Sequence, residues 1–221
     1  MTDSFTALPE VRLLIDGQWA DGGDRMAVLD KYRLTPCANL HVASREQVRM
    51  AVTAAHRAFS ASTLTPYERG AVLERAAALL ERDSAHLVAA LQTEGGFTLT
   101  DAQGEVKRCQ QTFRLSAEEA RRLAGEMVPL DGAPQQGGRL GFTIRVPLGV
   151  VCAITPFNAP LNTVAHKVAP ALAAGNAVVL KPSTHTPTLA NLMASSLLEA
   201  GLPPGLITVV HGGAEVAGWL I

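Results

Sequence analysis

The chain has 221 residues, with 19 Lys+Arg against 20 Asp+Glu and a formal net charge of −1. Hydrophobic residues make up 48%, enough for a sizeable core, and the near-zero charge excludes a general nucleic-acid binder. No apolar run reaches the ~18–20 residues of a membrane span. The opening MTDSFTALPEV lacks a basic segment followed by an apolar one, so no secretory leader is expected. Three cysteines, Cys37, Cys109 and Cys152, make no disulfide framework and point to a reducing cytoplasm. They show no metal-ligand spacing with His166 or His185, so no metal is expected.

In chain order, RLLIDGQWA at 12–20 reads as two short strands joined at Asp16-Gly17. Residues 32–43, with Pro36 and Cys37, read as irregular. Ser44 with Gln47 is a capping box, followed by Val48, Val52, Ala55 and Phe59 at helical spacing. Thr65-Pro66 with Glu68 is a second one, and Val72, Leu73, Ala76, Leu79 and Leu80 line the next helix. A third helix covers roughly 84–93 and stops at Gly95-Gly96. A fourth covers roughly 99–123, with Val106, Cys109, Phe113, Leu115, Ala120 and Leu123 as its apolar set. Residues 44–124 are thus mostly helix, and residues 1–124 together read as N-terminal strands followed by a helical part.

The style changes at Gly125. Residues 125–147 are rich in Gly and Gln and end in RLGFTIRVP, whose alternation of Leu140, Phe142, Ile144 and Val146 is strand-like. From 148 to 221 the order is strand (149–155), helix (161–174), strand (177–180), helix (186–200), strand (206–210) and a last short helix from Ala214. Alternating strands and helices imply an α/β fold with a parallel, doubly wound sheet, here incomplete. Cys152, flanked by Val151 and Ala153, is expected as a small apolar core residue rather than a nucleophile.

Residues 132–198 contain no acidic residue but hold Arg139, Arg145, Lys167 and Lys181, a local charge of +4. Buried strands exclude charge, which explains part of this. The other reading is a site for an anionic ligand such as a dinucleotide. Ligands of open parallel sheets bind beyond the carboxyl ends of the strands. Ile154-Thr155-Pro156-Phe157-Asn158 stands at one such end and Lys181-Pro182-Ser183-Thr184 at the next. The Asn158 amide can polarise a carbonyl oxygen; Lys181 and the two hydroxyls can hold ribose oxygens or a phosphate. The turn ITPFNAPLN lacks G-x-G-x-x-G, which sets aside an ordinary Rossmann reductase.

The run GVVCAITPFNAPLNTVAHKVAPALAAGNAVVLKPSTHTP, followed by EAGLPPGLITVVHGG, resembles the aldehyde dehydrogenase superfamily. PYERGAVLERAAALLERD, Glu94-Gly95, EVKR at 105–108 and RLGFTIRVPLGVV sit upstream in the family's order, so the resemblance covers nearly the whole chain. It implies NAD(P)-dependent oxidation of an aldehyde to an acid: a cysteine thiolate attacks the carbonyl, hydride passes to the nicotinamide, and water hydrolyses the thioester. By position, Asn158 matches the oxyanion-hole amide. Ile154, Thr155, Pro156 and Phe157 match the wall beside the cofactor, and Lys181, Pro182 and Ser183 the adenosine-ribose segment. Gly212-Gly213 matches the passage by the adenine. Residues 125–147 match the arm that pairs subunits, implying a homo-oligomer, dimer or tetramer.

The sequence also departs from the family. Thr184 stands where many members place a Glu that holds the ribose diol; a hydroxyl does not repel a 2′-phosphate, so NADP as well as NAD is expected. PFNAPLN is similar to the lactaldehyde and phosphonoaldehyde branch, in which a His often follows the Asn; here it is Ala159. Arg108 is a candidate contact for an anionic substrate group, with a salt-bridge role as the better expectation. The general-base glutamate and catalytic cysteine follow Ile221 in the family's order. The chain is therefore expected to be an N-terminal portion, inactive alone and prone to association through the apolar end Trp219-Leu220-Ile221. The alternative is a non-catalytic nucleotide-binding or oligomerisation module.

Overall fold

The computed structural model describes residues 8–221. The reading that no secretory leader opens the chain rests partly on residues 1–7, which lie outside the described residues. Strands β1 (Glu10–Val11), β2 (Leu13–Ile15), β3 (Gln18–Ala20), β4 (Asp24–Leu29) and β5 (Pro36–Val42) come first. Four helices follow: α1 (Arg45–Ala61), α2 (Pro66–Arg82), α3 (Ser84–Gly95) and α4 (Leu99–Ala120). Short strands β6 (Met127–Val128) and β7 (Gly141–Phe142) precede β8 (Val150–Ile154), α5 (Asn162–Ala173), β9 (Ala177–Lys181), α6 (Pro187–Glu199), β10 (Ile207–Val209) and α7 (Ala214–Gly218).

Local chemistry fixes many of these boundaries. Asp16 and Gly17 both take positive φ (53° and 75°), as the two-residue turn between β2 and β3 requires. Both capping boxes form. Gln47 N–H donates to Ser44 Oγ while Ser44 N–H donates to Gln47 Oε1, and Thr65 and Glu68 do the same at α2. α3 ends where Gly96 enters the left-handed region at φ 70°. Two arginines of α2 then close two other helices: Arg69 Nε donates to the Ala173 carbonyl at the end of α5, and Arg75 Nε to the Ala200 carbonyl after α6, at 2.9 and 2.8 Å. A cation at a helix C-terminus both pairs a free carbonyl and opposes the helix dipole.

The principal sheet has the order β3-β2-β10-β9-β8. β8, β9 and β10 are parallel, with Ile154 opposite Lys181 and Val209 opposite Leu180. The expected parallel strands are there, and the β2–β3 hairpin extends their sheet beside β10 with an antiparallel pairing, Leu14 opposite Val209. All five residues of β9 are buried, as both faces of a central strand must be. α1 packs against β8, β9, β10 and β2, while α5 packs against β8 and β9, and α6 against β10. Among the described residues, Phe113 of α4 is the largest side chain wholly removed from solvent.

Several further expectations change. Residues 36–42 are a strand, not irregular; β5 lies between β1 and β4 in a second sheet with its own small core of Val11, Val28, Ala38 and Leu40. Cys37 is therefore in a strand. Cys152 is exposed rather than buried: it points to the opposite face of β8 from Ala153, which is 1% exposed, and that face of the end strand is left uncovered. Leu115 is exposed, off the stripe that α4 turns to the core; Leu123, expected on the same helix, lies beyond its end at Ala120 and is exposed, and Val52 is exposed on α1. Trp219 and Leu220 pack against the principal core, and Ile221 alone of that apolar end is fully exposed. Among the described residues, no helix is long and apolar enough to cross a membrane.

Candidate functional site

The carboxyl ends of β8, β9 and β10 converge on one place. The last ladder pair of β8 and β9 is Ile154 with Lys181, and the next residue, Thr155, donates its N–H to the Lys181 carbonyl at 3.1 Å. Lys181 is 7% exposed. Its ammonium turns back on the protein, donating to the Pro182 carbonyl at 3.2 Å and the Gly212 carbonyl at 2.9 Å. Ile154, Thr155, Lys181, Pro182 and Gly212, singled out from separate motifs, are thus neighbours. Burial holds the Lys181 ammonium below the ordinary lysine pKa.

Polar groups remain available there. Thr155 Oγ1 is buried and has no hydrogen-bond partner, as is Thr186 Oγ1 just before α6. A buried hydroxyl without a partner is uncommon and marks a place for one. An ammonium has three donors, and two of those on Lys181 are taken. Ser183 and Thr184 are half-buried, and Ser183 Oγ accepts from the His185 N–H at 3.2 Å. Gly212 is buried and Gly213 exposed at the start of α7. A side chain at Gly212 would run into Val216, so the chain needs glycine to turn there.

Phe157 and Asn158 are exposed on the loop between β8 and α5. The Phe157 ring meets His185 edge to face, with centroids 5.6 Å apart. This contact ties the β8 loop to the β9 loop. Asn158 stands four residues before the first residue of α5, Asn162. The N–H of Asn162 donates to Glu105 Oε1 at 2.9 Å, and Asn162 Oδ1 accepts from Thr112 Oγ1 at 2.9 Å. Glu105, 1% exposed on α4, is a residue that sequence reasoning did not single out for a role. It also accepts from Arg108 Nη2 at 2.8 Å. Arg108 is therefore engaged in an ion pair, while most of its side chain faces solvent.

Glu94, named above only for the family's order and given no role, is the second such carboxylate. It is 3% exposed and accepts from both the N–H and the hydroxyl of Thr188 in the first turn of α6. Burial, opposed by these bonds and by Lys31, pushes its pKa up to about 7. Burial raises the pKa of Cys109 far above the ordinary value, and partial burial also raises Cys37 and Cys152.

The Aldehyde dehydrogenase family profile matches residues 19–221. A 3-sulfolactaldehyde dehydrogenase of Priestia megaterium is 45% identical over 219 residues, which are 99% of this chain and 46% of that protein. A D-glyceraldehyde dehydrogenase (NADP(+)) of Thermoplasma acidophilum is 36% identical over 217 residues, 96% of this chain and 43% of that protein. The solved structure of PnpE in complex with nicotinamide adenine dinucleotide superposes with a TM-score of 0.88 at 34% identity, covering 94% of this chain and 42% of that one. The chain spans less than half the length of these relatives.

Proposed function

This chain belongs to the aldehyde dehydrogenase family, and from that premise we propose that it builds the NAD(P)-binding part of an enzyme that oxidises a small aldehyde to a carboxylic acid. The observation that carries the reading is the meeting of Thr155, Lys181 and Gly212 at the carboxyl ends of three parallel strands. The residues present fit a dinucleotide: an unpartnered buried hydroxyl on Thr155, a spare donor on Lys181, and a stretch from 132 to 198 without one acidic side chain. A bound nicotinamide dinucleotide supplies the two-electron acceptor for aldehyde oxidation.

Each residue has its own task in this proposal. Lys181 holds Gly212 in place and offers its remaining N–H to a ribose oxygen, with Ser183 and Thr184 beside it. Ile154, Pro156 and Phe157 form the wall of the cofactor cleft. Asn158 donates its side-chain N–H to the aldehyde oxygen, stabilising negative charge as it develops there. Gly212 and Gly213 let the backbone pass close to the adenine. Arg108 holds Glu105, and through it the start of α5, which favours the salt-bridge role over a substrate contact. The named relatives act on 3-sulfolactaldehyde and D-glyceraldehyde, which supports a short, polar aldehyde.

A thiolate is needed for the covalent step. Cys37, Cys109 and Cys152 lie within β5, α4 and β8 and not on the loops that carry Asn158, Thr184 and Gly212, and the family's order puts the catalytic cysteine later, so we assign the nucleophile to sequence outside these 221 residues. Residues 125–147 form the subunit-pairing arm. Met127, Leu140, Phe142, Ile144 and Val146 are all exposed there, a strip of apolar side chains suited to cover by a second copy. The test pairs two assays on the purified chain: binding of NAD and NADP by calorimetry, and aldehyde-dependent reduction of either. Binding without turnover is expected. Turnover abolished by Asn158→Ala would place the nucleophile inside the chain, and absence of binding would remove the cofactor assignment.

A further inference from the structure

We propose that Lys31 and His185 form a phosphate-selecting pair at the rim of the nucleotide site, one that favours a ribose carrying a 2′-phosphate. The inference rests on the cofactor site proposed above and adds two residues to it. Lys31 lies in the turn between β4 and β5, far from the site in sequence. Its backbone N–H donates to the Thr93 carbonyl at 2.8 Å, which fixes the turn against the end of α3. From that anchor its ammonium reaches His185 Nδ1 at 3.5 Å. His185 follows Thr184 directly, and its ring rests on Phe157. Two chain segments 154 residues apart thus bring a cation and an imidazole together, and the backbone N–H of the same His185 donates to Ser183 Oγ at 3.2 Å.

The nearby acids are already committed. Asp30 accepts from the N–H groups of Tyr32 and Arg33 and from the Arg33 guanidinium. Glu94 is occupied by Thr188. Among the described residues Lys31 forms no ion pair with a carboxylate. An ammonium and an imidazole N–H, with a hydroxyl close by, make a donor set for a phosphomonoester; a plain 2′-hydroxyl offers no charge for them to meet. Lys31 and His185 therefore act on the choice between two nucleotides rather than on binding of the adenosine they share.

The probes are 2′,5′-ADP, 5′-AMP and inorganic phosphate, titrated calorimetrically into the whole chain and into Lys31→Ala and His185→Ala. The wild-type chain is expected to bind 2′,5′-ADP about five- to tenfold tighter than 5′-AMP, and each variant to lose most of that ratio with 5′-AMP affinity unchanged. The His185 ring resonances should shift with 2′,5′-ADP and not with 5′-AMP. If both nucleotides bind and the ratio survives both substitutions, the pair has no selecting role, while the nucleotide site stands. If neither nucleotide binds, this inference and the cofactor reading fall together. If inorganic phosphate binds as tightly as 2′,5′-ADP, the pair is a plain anion site and the nucleotide assignment is wrong.

Discussion

Lys181 Nζ donates to the Gly212 carbonyl oxygen at 2.9 Å, and this bond ties the end of β9 to the loop that follows β10. A second bond to the Pro182 carbonyl closes the local turn. A lysine this deeply placed works first as a strut; only its spare N–H is left for a ligand. Lys181→Met keeps the apolar stem and removes the donors, leaving two carbonyls short of a partner. The expected cost is about 1–3 kcal/mol of unfolding free energy, with loss of nucleotide binding. Urea unfolding of wild type and variant measures it; an unchanged midpoint would mean water replaces the ammonium.

Glu94 makes stability depend on pH. Its pKa rises from 4.5 to about 7 in the folded chain. The folded state then binds this proton more tightly than the unfolded state, so the contribution is fully present below about pH 4.5 and is lost as pH rises through about 7. Glu94→Gln keeps an acceptor for Thr188 N–H and removes the titration. The variant should lose the fall in stability that the wild type shows between about pH 4.5 and pH 7. Parallel pH profiles for the two proteins would contradict this.

Glu105 and Arg108 are unequal partners. Glu105 is buried and bonds both the α5 N-terminus and Arg108, whereas Arg108 is largely exposed. Glu105→Ala leaves the Asn162 N–H unpaired and is expected to cost about 1–3 kcal/mol. Arg108→Ala is expected to cost less. Denaturant midpoints decide the order, and a larger loss for Arg108→Ala would reverse the assignment.

The arm predicts a change in mass. Phe142 and Ile144 are 64% and 71% exposed in the single chain. Phe142→Asp with Ile144→Asp should convert an associated species to monomer by light scattering, without loss of helical circular dichroism. A wild-type chain that is already monomeric would remove the arm's proposed role.

Phe113 sets the scale of the core. It is fully buried on α4, the helix that packs against both α2 and α5. Phe113→Ala is expected to cost about 3–5 kcal/mol, read from thermal or urea unfolding; a loss under about 1 kcal/mol would mean that neighbours collapse into the space.

Features whose cause is local were legible in the sequence. Ser44 with Gln47, Thr65 with Glu68 and Asp16-Gly17 each act within four residues, and each formed. The Ile154–Asn158 and Lys181–Thr184 stretches were legible because they follow strands with strong apolar patterns. β4 was not, since only Val28 of its six residues is buried and no alternation survives. Pro36 hid the start of β5. Cys152 misled because a strand's own composition does not say which of its faces other elements cover. Glu94, Glu105 and the Lys31–His185 pair were invisible for another reason: their partners lie 94, 57 and 154 residues away. Only the fold brings them together.

The most direct measurement is a titration of the isotope-labelled chain with NAD and NADP, followed by backbone amide resonances. Perturbations centred on Thr155, Ser183, Thr184, Gly212 and Gly213 are predicted, with Lys181 among them. Saturation with no change at those amides, or changes confined to residues 125–147, would contradict a nucleotide site at the carboxyl ends of β8, β9 and β10.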